Sequence, residues 1–175
     1  EIAGVVEAIG PEVSSVKIGQ QVLVFPWIGC GNCKACQENR ESDCTSMRII
    51  GLKQKGGFAT QCLVENEKFL VDIDGLDAAD VVPHACSGIT VYNALEKLGD
   101  LSENEWLAIM GCGGLGLNAI SIACAMGFEN IIAVDIDNAK LDAAMEMGAL
   151  KVLNSKSENA VAELQELACD RLKGV

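Results

Sequence analysis

The chain predicts an all-β unit followed by a parallel α/β unit, and three observations carry that prediction. Short runs of β-branched and small residues, punctuated by Gly and Pro, fill the first 73 residues. Four cysteines crowd residues 28–46, where periodicity is lost. From Trp106 onward, apolar runs alternate with helical patterns.

Taken in order, Ile2 to Ile9 reads as a strand that ends at the turn Gly10-Pro11. Lys17 to Gln20 turns the chain into a second strand, Gln21 to Phe25, which Pro26-Trp27 stops. Gly56-Gly57 leads into a strand over Phe58 to Val64, and Phe69 to Ile73 forms another. Ala78 to Pro83 predicts a short helix or turn. Gly88 to Leu98 predicts a helix with Ile89, Tyr92, Leu95 and Leu98 at helical spacing. Strand Trp106 to Met110, helix Leu117 to Met126 and strand Ile131 to Val134 follow, with Gly127 as the helix stop. A second helix, Asn138 to Met147, ends at Gly148. Strand Ala149 to Leu153 then leads to a third helix, Glu158 to Leu172, whose acids through Asp170 read as a solvated face. Three such units make half of a doubly wound sheet, and the first strand is expected to find its other neighbour in chain outside these residues.

Between the strands at Trp106 and Ile131 lies Gly111-Cys112-Gly113-Gly114-Leu115-Gly116. Gly111 permits a tight turn, Gly113 lets backbone approach a pyrophosphate, and Gly116 lets the helix pack close to the sheet. The helix start offers N–H groups and the positive end of a dipole to phosphate. Asp135 follows Gly111 by 24 residues, at the end of the second strand, where it can accept ribose hydroxyls. Its charge favours NAD over NADP, and no Arg lies between Arg48 and Arg171 to receive a 2′-phosphate. A plain glycine-rich turn would leave Asp135 unexplained.

Cys30, Cys33, Cys36 and Cys44 place four thiolates within 15 residues. Four thiols this close could form two disulfides, hold an iron–sulfur cluster or act as a redox pair. The ligand count and spacing best suit a closed tetrahedral Zn²⁺ that stabilises a loop with little core of its own. Cys62, Cys112, Cys124 and Cys169 sit among apolar or small residues and are expected in the core or at its boundary.

Composition narrows the partners. Half the residues are hydrophobic, 18 are Gly, and 25 acidic against 13 basic residues give a net charge of −12. That balance argues against nucleic acid and anionic membrane as partners. No apolar run approaches the ~20 residues a membrane span needs. Nine cysteines, clustered as they are, point to metal in a reducing compartment, so a cytoplasmic location is expected. The chain opens on Glu1 inside an apolar run, which reads as an internal portion of a longer protein.

A four-cysteine lobe in a β unit followed by GxGxxG resembles the zinc-dependent medium-chain dehydrogenases, the alcohol dehydrogenases and their polyol-oxidising cousins. The resemblance runs the length of the chain. It implies a GroES-like catalytic domain over 1–87, with its zinc lobe at 28–46, and the first half of a Rossmann NAD-binding domain over 88–175. Glu1-Ile2-Ala3-Gly4-Val5-Val6 is similar to the strand that opens with the family's GHE motif. Glu1 would then stand beside a catalytic zinc, with the ligating His one residue earlier. Gly56-Gly57-Phe58-Ala59 and Ala85-Cys86-Ser87-Gly88-Ile89-Thr90-Val91-Tyr92 are further matches. They imply that Cys86 is a catalytic zinc ligand and that Thr90 touches the nicotinamide. Lys140 matches a position that contacts the adenosine ribose, and Gln20 departs from the Asp usual in that turn. His84, the lone histidine, lies two residues from Cys86, but the motif assigns the ligand role to Cys86.

The resemblance implies hydride transfer between an alcohol and NAD. Zinc would polarise the substrate oxygen and lower the alcohol's pKa. The first Cys ligand and the proton relay belong upstream of the GHE motif, so these 175 residues alone are expected to be inactive. Within the family the substrate could instead be a polyol, a threonine-like amino alcohol or a glutathione adduct. A non-catalytic NAD- and zinc-binding module is the reading from another class. The resemblance also implies a homo-oligomer, dimeric or tetrameric.

Overall fold

Strand-forming sequence becomes strand here only where a partner runs alongside. The computed structural model describes residues 1–99, 101–169 and 171–175. Two compact units emerge, Glu1–Cys86 and Ser87–Val175.

The first unit begins with β1 (Ala3–Val5) and β2 (Gln21–Val24), followed by β3 (Trp27–Ile28), α1 (Lys34–Gln37) and β4 (Arg48–Ile49). β5 (Leu70–Asp72) and α2 (Ala78–Val81) complete it, and a 3-10 turn at Val82–Ala85 follows α2. β2 lies between β1 and β5, antiparallel to both, with Leu23 opposite Ala3 and Val71. Being central, β2 buries both faces: Leu23 packs with Ile73 and Ala85, while Val24 packs with Ile28, Ile50 and Phe69. Phe25 and Phe69 stack with ring centroids 6.4 Å apart. The Glu67 carboxylate fastens the loop before β2, accepting the Ser14 and Ser15 N–H groups at 3.0 and 2.6 Å.

Two strand expectations need correction. The strand over Ile2–Ile9 contracts to Ala3–Val5, the length that β2 can pair. Residues Phe58–Val64 form no strand. Cys62 and Val64 turn toward the Val24–Phe69 cluster, whereas Phe58 and Leu63 are exposed. A period of two holds only over 61–64, and among the described residues no ladder partner lies beside it.

The second unit comprises α3 (Ser87–Leu98), β6 (Trp106–Met110), α4 (Gly114–Ala125), β7 (Ile131–Asp135), α5 (Asn138–Glu146), β8 (Lys151–Asn154), α6 (Ala160–Leu167) and β9 (Leu172–Gly174). The sheet is parallel in the order β8-β7-β6-β9. Leu107, Ile109, Ile131 and Ala133 face α3, α4 and α5, while Trp106, Ile132 and Val134 face α6. Burial on both faces explains the unbroken apolar runs of β6 and β7. The chain winds outward from β6 to β8, then crosses the other face through α6 to reach β9. That crossing makes the β6–β9 junction a topological switch point.

Further expectations change. The neighbour of β6 is β9, which this chain itself supplies just after the expected helix, from Leu172 on. The third helix ends at Leu167 because Cys169 adopts a left-handed φ of 51°, after which the Trp106 N–H donates to the Arg171 carbonyl at 2.9 Å. In α3 the buried residues are Gly88, Val91 and Leu95, and Tyr92 is exposed. Cys112 is buried as expected of a core thiol, but Cys124 and Cys169 are exposed. Glu158 and Glu166 face solvent, Glu163 accepts from the Ser157 hydroxyl, and Asp170 lies outside the described residues.

Candidate functional site

The four lobe cysteines arrive from four local devices. Cys30 follows β3, Cys33 is the N-cap of α1, Cys36 lies within α1, and Cys44 ends the 3-10 turn Glu41–Asp43. Their ligand atoms all lie within 4.8 Å of one another. Sγ of Cys36 is 3.5 Å from that of Cys33 and 4.0 Å from that of Cys30. A tetrahedron with Zn–S bonds of about 2.3 Å has edges of about 3.8 Å, so the cage has the size of a closed zinc site. Disulfide sulfurs would stand about 2.05 Å apart. The N–H groups of Asn32 and Cys33 draw the Cys30 thiol down to about 6, while burial pushes Cys36 up to about 11. Gly29 is a residue that sequence reasoning missed: a Cβ there would meet Cys36 Sγ at 2.7 Å.

The second site is built where β6 ends. Gly111 turns the chain at φ 92°, and its N–H donates to the Val134 carbonyl at 2.7 Å. At Gly116 a Cβ would lie 1.8 Å from the Gly111 carbonyl oxygen, so only glycine permits the helix to start this close. At Gly113 and Gly114 a Cβ would meet nothing within 4 Å, leaving open space over the start of α4. No side chain caps that start. Gly114 and Leu115 begin the helix there, and Leu115 is exposed. Open space above uncapped N–H groups fits a pyrophosphate.

Asp135 is 8% exposed. One carboxylate oxygen accepts the Cys112 N–H at 2.7 Å; the other accepts those of Ile136 and Asp137 at 2.7 and 3.0 Å. Led by the Cys112 N–H, these bonds hold its carboxyl below the usual range against the opposing effect of burial. An ionised carboxylate accepts about four hydrogen bonds, so three N–H donors leave capacity for a ribose hydroxyl. Cys112, which reads as incidental in sequence, lends Asp135 its backbone. Lys140 is exposed on α5, and its charge contributes a smaller lowering to Asp135.

The remaining predicted residues are less assembled. Cys86 is half-buried at the end of the Val82–Ala85 turn, with Glu1 exposed at the chain start and His84 exposed within that turn. Thr90 lies exposed in the first turn of α3. Among the described residues, the lobe cysteines are the one group of three or more that could hold a metal.

Comparison with known proteins addresses the family. The family description "Alcohol dehydrogenase GroES-like domain" matches residues 1–75, and "Zinc-binding dehydrogenase" matches residues 114–174. The chain belongs to the zinc-dependent medium-chain dehydrogenase family. A relative called an NAD-dependent alcohol dehydrogenase, from Sulfurisphaera tokodaii, is 39% identical over 95% of this chain and 48% of its own length. Among solved structures, the alcohol dehydrogenase of Aeropyrum pernix shares 28% identity at a TM-score of 0.86, over 97% of this chain and 50% of that one. The D-arabinose dehydrogenase of Sulfolobus solfataricus shares 27% identity at a TM-score of 0.83, over 94% and 51%. This member of the family thus spans about half the length of the relatives it matches. Its GroES-like part carries the thiolate cage, and the parallel sheet carries the glycine turn.

Proposed function

We propose that this chain is the zinc- and NAD-binding portion of an alcohol dehydrogenase that interconverts an alcohol with its aldehyde or ketone. The observation that carries the reading is the glycine turn joined to Asp135 through the Cys112 N–H, above an open, uncapped helix start. In this reading Gly111, Gly113, Gly114, Leu115 and Gly116 hold the pyrophosphate, while Asp135 and Lys140 hold the adenosine ribose. Thr90 bears on the nicotinamide. Cys30, Cys33, Cys36 and Cys44 hold a structural zinc. Cys86 ligates a catalytic zinc, and Glu1 stands beside it. Bound there, the second zinc supplies Lewis acidity to the substrate oxygen. The acid at Asp135 selects NAD by disfavouring a 2′-phosphate.

The partners are a small alcohol or carbonyl substrate and further copies of the same chain, as a dimer or tetramer. No helix is long and apolar enough to cross a membrane among the described residues, which is consistent with work in the cytoplasm. A polyol or sugar substrate is the second reading, favoured by the likeness to D-arabinose dehydrogenase.

The test is zinc content and NAD reduction by the intact protein, assayed with primary alcohols and polyols. About two zinc ions per chain with NADH formation supports the enzyme. One zinc without turnover supports a non-catalytic module instead.

A further inference from the structure

α4 is made of small and apolar residues, and it buries Gly116, Asn118, Ala119, Ile120 and Ala123. Asn118 is the exception in kind. It is 9% exposed, and Asp135 is the only other buried polar or charged residue among those described. Asparagine is a poor helix former because its side chain competes for backbone hydrogen bonds, and burying its amide adds a desolvation cost. A leucine would suit the position without either penalty. What the asparagine gains is a partner: its Nδ2 donates to the Ser87 hydroxyl at 2.9 Å.

Ser87 is the first residue of α3, and Thr90 lies in the same turn. Elsewhere along the α3–α4 seam, Val91 and Leu95 pack with Ala119, Ile120 and Ala123. Apolar contact with small residues is non-directional, so it tolerates sliding or rotation of one helix on the other. A hydrogen bond is directional. The Asn118–Ser87 bond therefore sets the start of α3 against a helix whose first turn is fixed by the close approach of Gly116, two residues before Asn118, to Gly111.

We propose that Asn118 is a positioning residue that, through Ser87, fixes the first turn of α3 and so holds Thr90 in place relative to a dinucleotide seated on the glycine turn. The inference rests on the dinucleotide reading above and adds to it the residue that registers the nicotinamide end.

Two ligands separate positioning from general damage. ADP-ribose carries the adenosine and pyrophosphate but lacks the nicotinamide, whereas NADH carries both ends. In the intact protein, Asn118→Leu and Ser87→Ala should bind ADP-ribose as the parent does. They should bind NADH roughly 5- to 10-fold more weakly, the scale of one lost hydrogen bond. The double variant should lose no more than either single one. Ser87→Thr, which keeps the hydroxyl, should restore NADH binding. Unchanged NADH affinity in both single variants overturns the proposal, as does equal weakening toward both ligands, which marks a structural role only. If Asn118→Leu does not fold, Ser87→Ala decides alone, since it removes the same bond and keeps the buried volume. A parent protein that binds neither ligand overturns the dinucleotide reading itself, and this proposal with it.

Discussion

At the residue scale, the two glycines that flank the start of α4 make opposite demands. A Cβ at Gly116 would drive into the Gly111 backbone, and one at Gly113 would meet open space. Gly116→Ala is thus expected to cost stability by about 2–4 kcal/mol, the range of forced backbone strain and overpacking. Gly113→Ala should leave the melting temperature almost unchanged yet weaken NADH binding at least tenfold, because the methyl occupies the pyrophosphate's space. Melting curves and fluorescence titration of both variants check the pair. Asp135 makes a prediction in pH. Its native pKa is depressed, so the stability it contributes is complete above the ordinary carboxylate value and is lost as pH falls through the lower native value. Asp135→Asn should therefore lose less stability than the parent between about pH 6 and about pH 3, as read by urea unfolding. Gly111, Gly116 and Asp135 were legible because their spacing encodes backbone geometry. Asn118 and Gly29 were not, because their roles come from partners 31 and 7 residues away that only the folded chain brings near. The one available signal was an asparagine within a helix otherwise made of small and apolar residues.

At the element scale, legibility followed burial. β6, α4 and β7 were readable because strands covered on both faces must be apolar throughout and the glycines punctuate them. Within the segment 58–64 only residues 61–64 alternate, and alternation reports which side faces the core and says nothing of a hydrogen-bonding neighbour. β9 was concealed by its brevity and by a helical pattern that reads on to Leu172; the helix ends at Leu167, and the left-handed Cys169 follows two residues later. Lys151 bears on how α6 is then held. Its ammonium sits 4.1 Å over the Trp106 ring and donates to the Leu167 carbonyl at 2.6 Å, at the last turn of α6. A cation there offsets the negative end of the helix as well as satisfying its carbonyl. Lys151→Met keeps the apolar stem and removes the charge, and should destabilise the protein by about 1–2 kcal/mol in urea unfolding. The same substitution on a Trp106→Leu background should cost visibly less.

At the scale of the whole molecule, each unit owns one ligand set. The thiolate cage lies wholly within Glu1–Cys86 and the glycine turn wholly within Ser87–Val175. The lobe around the cage has few apolar side chains to hold it: beyond Cys36 and Cys44, the buried residues in 28–50 are Ile28, Gly29 and Ile50. Metal must therefore supply most of its order, as in other small thiolate-held loops. Removing zinc with a chelator should raise amide exchange across 28–50 and make four additional thiols reactive, while exchange in 106–135 stays as it was. Adding NADH should do the reverse, slowing exchange at 111–117 and around 135 without protecting the lobe. Protons couple to the first of these equilibria. Burial raises the Cys36 thiol to about 11, so near neutral pH it must give up its proton when metal binds. Zinc binding should release protons, and its affinity should fall as pH is lowered. Calorimetric titration in two buffers of different ionisation heat measures the release directly. A lobe that stays protected after chelation would mean that packing, and not metal, holds it.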